Sequence, residues 1–210
     1  MTTTRDDAID FTMMYATHNA FRRDLARLIE AADSGHAHAI QVGRGWENFK
    51  TQLLLHHSVE DSNLWPRLRE VLADQPDDLA LVDEMEAEHH QLEPALAAVD
   101  VALSDRPSVL AGAARDLKVV LEGHLEHEED EALPLMQSVL TPADWTSFAG
   151  EMRCRQGVRG AAAYVPWVLD EMSPSEQRQF LALLPAPVRL VNRLLWEPRY
   201  RRQHRWSNSS

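Results

Sequence analysis

Residues 124–134 read HLEHEEDEALP, in which two histidines and five acidic residues precede a proline. Residues 56–66 read HHSVEDSNLWP and repeat the same pattern 68 residues earlier in the chain. Both stretches contain a histidine, a glutamate four residues later, and a proline six residues after the glutamate. Because side chains four residues apart lie on one face of a helix, each stretch predicts a helix with a His–Glu pair on one face. The repeat predicts two similar helical hairpins.

The rest of the chain also has helical periodicity. Four long helices joined by short turns are predicted, at about 6–32, 45–73, 76–104 and 108–140. Such lengths and connections favour an all-α fold, an antiparallel up-down-up-down four-helix bundle. Shorter helices are predicted beyond it, at about 142–165, 174–184 and 187–196. We therefore predict a bundle formed by residues 1–140 and a C-terminal helical extension, residues 141–210, packed on the bundle.

Each predicted bundle helix has an apolar seam that is interrupted by one histidine. The seam of the second helix ends with Leu64, Leu68 and Val71, and the seam of the fourth runs through Leu117, Leu121, His124, Glu128, Ala132, Leu135 and Val139. A glutamate buried on such a seam is costly unless it is paired or bound to a metal. Four histidines and two glutamates that meet at one level of the bundle therefore predict a metal site, with these ligands: His18, His56, Glu60, His89, His124 and Glu128.

Each piece of this pattern has a simpler explanation when taken alone. A lone histidine on an apolar face is usually a hydrogen-bonded core residue, and a His–Glu pair is usually a surface ion pair. Four seams interrupted in the same way, two of them by the same repeat, favour metal binding. The neighbouring histidines His57, His90 and His127 are rotated off the seams, so we expect them at the surface or in outer contacts with the ligands.

Composition limits the function classes. The formal net charge of −12 argues against nucleic acid or an anionic membrane as the main partner, although residues 189–205 contain six arginines against one acid, Glu197. Cys154 is the only cysteine, which excludes an intrachain disulfide and a thiolate cluster.

The apolar segment 180–196 is too short and too interrupted to span a bilayer. With no secretory-type start, a cytoplasmic protein is expected. The sequence does not define the oligomeric state.

These motifs resemble those of hemerythrin-like proteins, the HHE cation-binding family. The matching pieces are His18, HHSVED from His56, EHHQLE around His89 and HLEHEE from His124. The resemblance implies a four-helix bundle around a non-haem di-iron centre, held by the six residues named above, with Glu60 and Glu128 bridging. The pattern also departs from that of the oxygen carriers. They have a second histidine one turn along the third helix, where this chain has Met85 and Glu93.

Imidazole and carboxylate donors are compatible with iron or manganese, whereas zinc sites usually include thiolates. The resemblance implies iron, with manganese as the alternative. The smaller number of histidines favours redox chemistry on peroxide, O2 or nitric oxide over oxygen transport. Two alternatives remain open: a protein that binds, stores or senses iron or O2 without turnover, and a bundle that the metal only stabilises. Whether the protein is an enzyme also stays open, as do ligand roles for Tyr15, Glu93 and Glu129. Glu86, Glu93 and Asp61 are candidates to orient the histidine ligands.

Overall fold

The computed structural model describes residues 8–35, 40–203 and 205–206, and within them every regular element is a helix. The α-helices are α1 (Thr12–Asp33), α2 (Ile40–Val59), α3 (Trp65–Val71), α4 (Pro76–Ser104), α5 (Leu110–His127), α6 (Leu133–Val139), α7 (Pro142–Leu169), α8 (Pro174–Ala182), α9 (Ala186–Val191) and α10 (Glu197–Arg201). Short π-helical segments join α2 to α3, α5 to α6 and α9 to α10. The all-α prediction is confirmed.

The predicted helix boundaries agree closely with the structure in some places and differ in others. The predicted third helix, 76–104, matches α4. The first helix was expected from residue 6, but α1 begins at Thr12; residues 6 and 7 lie outside the described part of the chain. It ends where predicted, because Gly35 adopts the left-handed conformation (φ +76°) that favours glycine after a helix. The second helix begins earlier than predicted, at Ile40.

Two apolar clusters form the core, a first that contains Met14 and a second that contains Phe21. Four helical rods cross both clusters: α1, α2–α3, α4 and α5–α6. The order of the clusters along the chain shows that neighbouring rods are antiparallel. In α1 the first cluster contributes Met14 and the second contributes Phe21. In α2 the order reverses, with Leu53 in the second cluster and Val59 in the first. The order alternates again in α4 and in the α5–α6 rod. The chain therefore runs up, down, up and down through two apolar layers, and a polar level lies between them.

A π turn precedes a proline in the α2–α3 rod and in the α5–α6 rod. The N–H of Trp65 donates to the carbonyl of Glu60, five residues back, and the N–H of Leu133 donates likewise to Glu128. Proline follows at positions 66 and 134. A proline inside a helix lacks an N–H and clashes with the carbonyl four residues back, and an inserted π turn relieves that clash. Each of these prolines is therefore accommodated by a π turn.

Beyond each π turn, some of the buried residues lie one position later in the sequence than the predicted seam. A π turn contains one residue more than an α turn, so the buried face after it moves one position along the sequence. Beyond the first π turn Leu72 is buried in place of Val71. Beyond the second, Met136 and Leu140 are buried in place of Leu135 and Val139.

The extension packs directly on the bundle. Thr141 and Asp144 form a reciprocal capping box at the start of α7, the helix start predicted at Thr141. The backbone of α7 breaks at Gly157, whose φ of +56° favours glycine. Beyond this break, Trp167 is fully buried and contacts Phe21 of α1. No helix among the described residues is both long and apolar enough to cross a membrane.

One buried hydrogen bond joins the extension to α1. The Trp167 Nε1–H donates to the Asp24 carboxylate at 2.8 Å, and Asp24 is almost fully buried. Arg23 and Arg27 also donate to Asp24, so its charge is compensated within the interface. A buried carboxylate depends on such donors because it has lost its contact with water.

Removing this donor tests how strongly the extension is attached. We expect Trp167→Phe to lower the free energy of unfolding by about 2 kcal/mol, since a hydrogen bond to a buried charged group is lost. Urea unfolding followed by circular dichroism measures the change. Trp145→Phe is the matched control, because the Trp145 indole nitrogen has no hydrogen-bond partner among the described residues. An equal loss in both variants would contradict a special role for Trp167.

Candidate metal centre

The polar level of the bundle contains every residue predicted as a ligand, and all of them are buried. The exposed fraction is 0% for His18, Glu60 and Glu128, 2% for His56 and His124, and 6% for His89. A seventh residue, His57, is also buried, with 6% exposed. His57 was expected at the surface or in outer contacts with the ligands, and its burial rules out the surface position. His90, in contrast, is exposed, as expected.

Six of these residues form two groups of three, each of a size that suits one metal ion. His18, His56 and Glu128 form one group, and within it the potential ligand atoms lie within 4.8 Å of one another. The second group, under the same limit, contains three histidines: His57, His89 and His124. Three helical rods contribute to each group. The bundle therefore brings together two groups of donors, each of which could hold a metal ion.

Glu60 lies between the two groups. Its Oε1 is 3.1 Å from His56 Nε2, in the first group, and its Oε2 is 3.7 Å from His89 Nε2, in the second. The two oxygens of one carboxylate thus face different groups. This is the placement needed for a carboxylate that bridges two ions, as in other helical bundles with paired metals.

Carboxylates outside the centre orient three of the histidines. The Nδ1 atom of His18 lies 2.8 Å from Glu129, that of His89 lies 2.7 Å from Asp61, and that of His124 lies 2.9 Å from Glu88. When the imidazole donates its Nδ1–H to such a carboxylate, the lone pair of Nε2 is free to bind a metal.

The residues whose roles the sequence left open can now be placed. Glu129 holds His18 and accepts two hydrogen bonds from Arg22, at 2.8 and 3.0 Å, so it faces outward from the centre. Tyr15 is 42% exposed, and the Glu93 side chain is 73% exposed beside His90. Of the predicted orienting carboxylates only Asp61 contacts a histidine of the centre. Glu86 pairs with Arg69, and the sequence reasoning missed Glu88.

The two buried carboxylates of the centre would be stabilised in their ionised form by a bound cation. Burial, reinforced by the nearby Glu128 charge, raises the pKa of Glu60 well above its ordinary value. Burial also opposes the ionisation of Glu128, but the nearby charge of His18 outweighs that effect and lowers the pKa of Glu128 to about 2. Burial lowers the pKa of His56 to about 3 and that of His57 well below its ordinary value. Both imidazoles are therefore neutral at pH 7 and able to bind a metal.

Many donor atoms of the centre have no hydrogen-bond partner. They include both carboxylate oxygens of Glu60 and of Glu128, and the Nε2 atoms of His57, His89 and His124. Buried polar atoms without partners are rare and costly, and a cluster of them at one level marks a place for an ion. The residues present therefore fit a metal.

His57 completes a set of five histidines and two glutamates. Its ring stacks on that of His89, with the ring centroids 4.0 Å apart and the planes 12° apart. The sequence signal was the doublet HH at 56–57. Adjacent helix residues are separated by about 100°, and both can turn inward where a helix is buried over a wide face. The third predicted helix has no second histidine one turn from His89, but His57 on α2 supplies a fifth histidine to the centre.

A four-helix bundle with an internal set of histidine and carboxylate donors defines a metal-binding helical protein. The family model of the hemerythrin HHE cation-binding domain matches residues 10–136. The chain belongs to this family, and the predicted resemblance is confirmed. Searches of curated proteins and of solved structures found no significant match.

The role of His57 can be tested by metal content. We expect His57→Ala to lose about half of the bound metal, because its group of three donors becomes a pair while the other group is intact. Metal analysis of the purified variant measures the loss. His90→Ala is the control, since it removes an exposed histidine from a neighbouring position. Equal metal content in the two variants would show that His57 is only a packing residue.

The π turn before Pro66 can be tested in a similar way. Pro66→Ala restores an N–H and allows an ordinary α turn, which would rotate Glu60 relative to the residues that follow it. We expect metal affinity to fall about 10-fold. Pro94→Ala is the control, because Pro94 lies inside α4, where no π turn is present. Competition with a chelator measures affinity, and an equal change in both variants would contradict the proposed effect of the π turn.

Proposed function

We propose that the protein holds two iron ions and carries out redox chemistry on a small oxidant, either peroxide, O2 or nitric oxide. The observation that carries this proposal is the pair of three-residue groups with Glu60 between them. One ion would bind His18, His56 and Glu128, and the other would bind the second group, with Glu60 shared. Manganese is the second choice of metal.

The donor set supports iron over zinc. Five imidazoles and two carboxylates provide nitrogen and oxygen ligands without a thiolate, and they are enough for two ions of more than four-coordinate geometry. Three donors per ion plus a shared carboxylate leave coordination positions that no protein atom fills. Bound iron would supply electrons and an attachment point for a small oxidant at those positions.

The protein's own residues contribute orientation and exclusion of water. Glu129, Asp61 and Glu88 fix the rings of three histidines, and the apolar layers on both sides bury the centre. Redox chemistry at an enclosed centre benefits from such a dry, fixed environment, because side reactions with solvent are suppressed.

A second function is favoured by His57. With five histidines and two carboxylates, the donor set has the same composition as the one that the resemblance assigns to oxygen-carrying relatives. The argument against reversible O2 binding that rested on four histidines is therefore weaker than the sequence suggested. Binding, storage or sensing of iron or O2 without turnover is the alternative function. A cytoplasmic location and a small-molecule ligand as the partner are also part of the proposal.

Metal analysis combined with optical spectroscopy tests the proposal. We expect two irons per chain and absorption bands that change when peroxide, azide or nitric oxide is added, since open positions admit small ligands. Consumption of peroxide over many cycles supports turnover, and reversible spectral change with O2 alone supports carriage. A colourless protein that contains zinc would overturn the iron assignment.

A pair of adjacent variants checks the ligand assignment. Glu128→Ala removes a donor of the first group, whereas Glu129→Ala removes a carboxylate that faces outward. We expect the first variant to lose most of its metal and the second to retain most of it. The reverse result would show that the assignment on this rod is displaced by one residue.

A further inference from the structure

A basic cleft runs along α7, and its lining also includes residues of α2 and of the segment 195–205. One cavity of about 860 Å³ includes Asn48 and Arg205 in its lining. A second cavity of about 980 Å³ adjoins it and shares Ala163, Gln203 and Arg205 with it. We call the two together the basic cleft, because six arginines and one glutamate line it.

The positive charge of the basic cleft is largely uncompensated. Arg44, Arg159 and Arg199 form no ion pair with any described residue. The one lining glutamate, Glu47, lies 3.7 Å from Lys50 and so already faces a cation. In a protein with a net charge of −12, a concentration of free arginines at one concave surface creates a local attraction for anions.

Buried donors without acceptors give a second, independent indication. Asn48 is 8% exposed, and its Nδ2 has no hydrogen-bond partner. The Nε and Nη1 atoms of Arg205 are likewise buried and unpaired, while the guanidinium lies over the ring of Tyr200 at 4.7 Å. Burial lowers the pKa of Arg205, although Tyr200, Asp24 and Asp170 partly oppose that effect. Such atoms require an acceptor, and an anion would provide one.

We propose that the basic cleft binds a small organic phosphate. The phosphate group accepts hydrogen bonds from Arg205 and Asn48, and the organic part extends into the second cavity beside Trp196. A guanidinium offers paired donors that match phosphate oxygens. The combined cavities are far larger than an inorganic phosphate needs. The acidic character of the whole protein favours a small molecule over nucleic acid.

Calorimetry on the full chain, with and without bound metal, tests this proposal. The probes are AMP, flavin mononucleotide, glucose 6-phosphate and inorganic phosphate. We expect at least one organic phosphate to bind saturably and more tightly than inorganic phosphate. Arg205→Gln and Arg44→Gln should each weaken that binding at least about 10-fold, which is the effect of losing a charge-assisted contact. Arg178→Gln, an exposed arginine of α8 outside the basic cleft, should leave it unchanged.

Arg44 is exposed, so its variant remains informative if Arg205→Gln fails to fold, which circular dichroism detects. The proposal is overturned if no organic phosphate binds, or if the three variants bind equally. It is also overturned if a single-stranded oligonucleotide binds and the organic phosphates do not. Metal content is measured in the same samples. An intact metal centre with an empty basic cleft would count against this inference alone, because none of the basic-cleft residues is a proposed metal ligand.

Discussion

The burial of two carboxylates at one level of an apolar bundle is the constraint on which the rest of the structure depends. Glu60 and Glu128 are fully buried, and the charge of Glu128 adds to burial in raising the pKa of Glu60. The five imidazoles at the same level offset only part of the cost of burying these carboxylates. The outer carboxylates Glu129, Asp61 and Glu88 hold the rings so that Nε2 points inward. The whole polar level is thus arranged for cations that the protein itself does not supply.

Much of this could be predicted from the sequence, because seam periodicity records which side chains face inward. The six predicted ligands all lie at one buried level, as the positions of His18 and Glu128 on their seams required. The errors in the predicted seams beyond the prolines share one physical cause. A periodic seam assumes a uniform α-helix, whereas the π turns insert a residue, so Val71 was predicted to be buried where Leu72 is. His57 was missed because a single seam is narrower than the face that α2 buries.

The π turns also explain how the extension is connected to the metal level. A π turn leaves backbone carbonyls without their usual partners, and these need other donors. Arg155 of α7 donates to the Ser58 carbonyl at 3.2 Å and to the hydroxyls of Ser58 and Ser62, both at 2.7 Å. These contacts lie at the start of the π turn that carries Glu60. The extension therefore adds hydrogen-bond donors to the segment that carries Glu60.

The two apolar layers allow the centre to form before any metal binds. Large side chains such as Phe21 and Phe49 pack on one side of the polar level, and Trp65 and Leu68 pack on the other. Their burial stabilises the rods in register independently of the polar residues. A metal ion would then bind side chains that the packing already holds in place, so little conformational entropy would be lost on binding. Metal binding in turn stabilises the folded state, which offsets the penalty of the buried carboxylates that make binding possible.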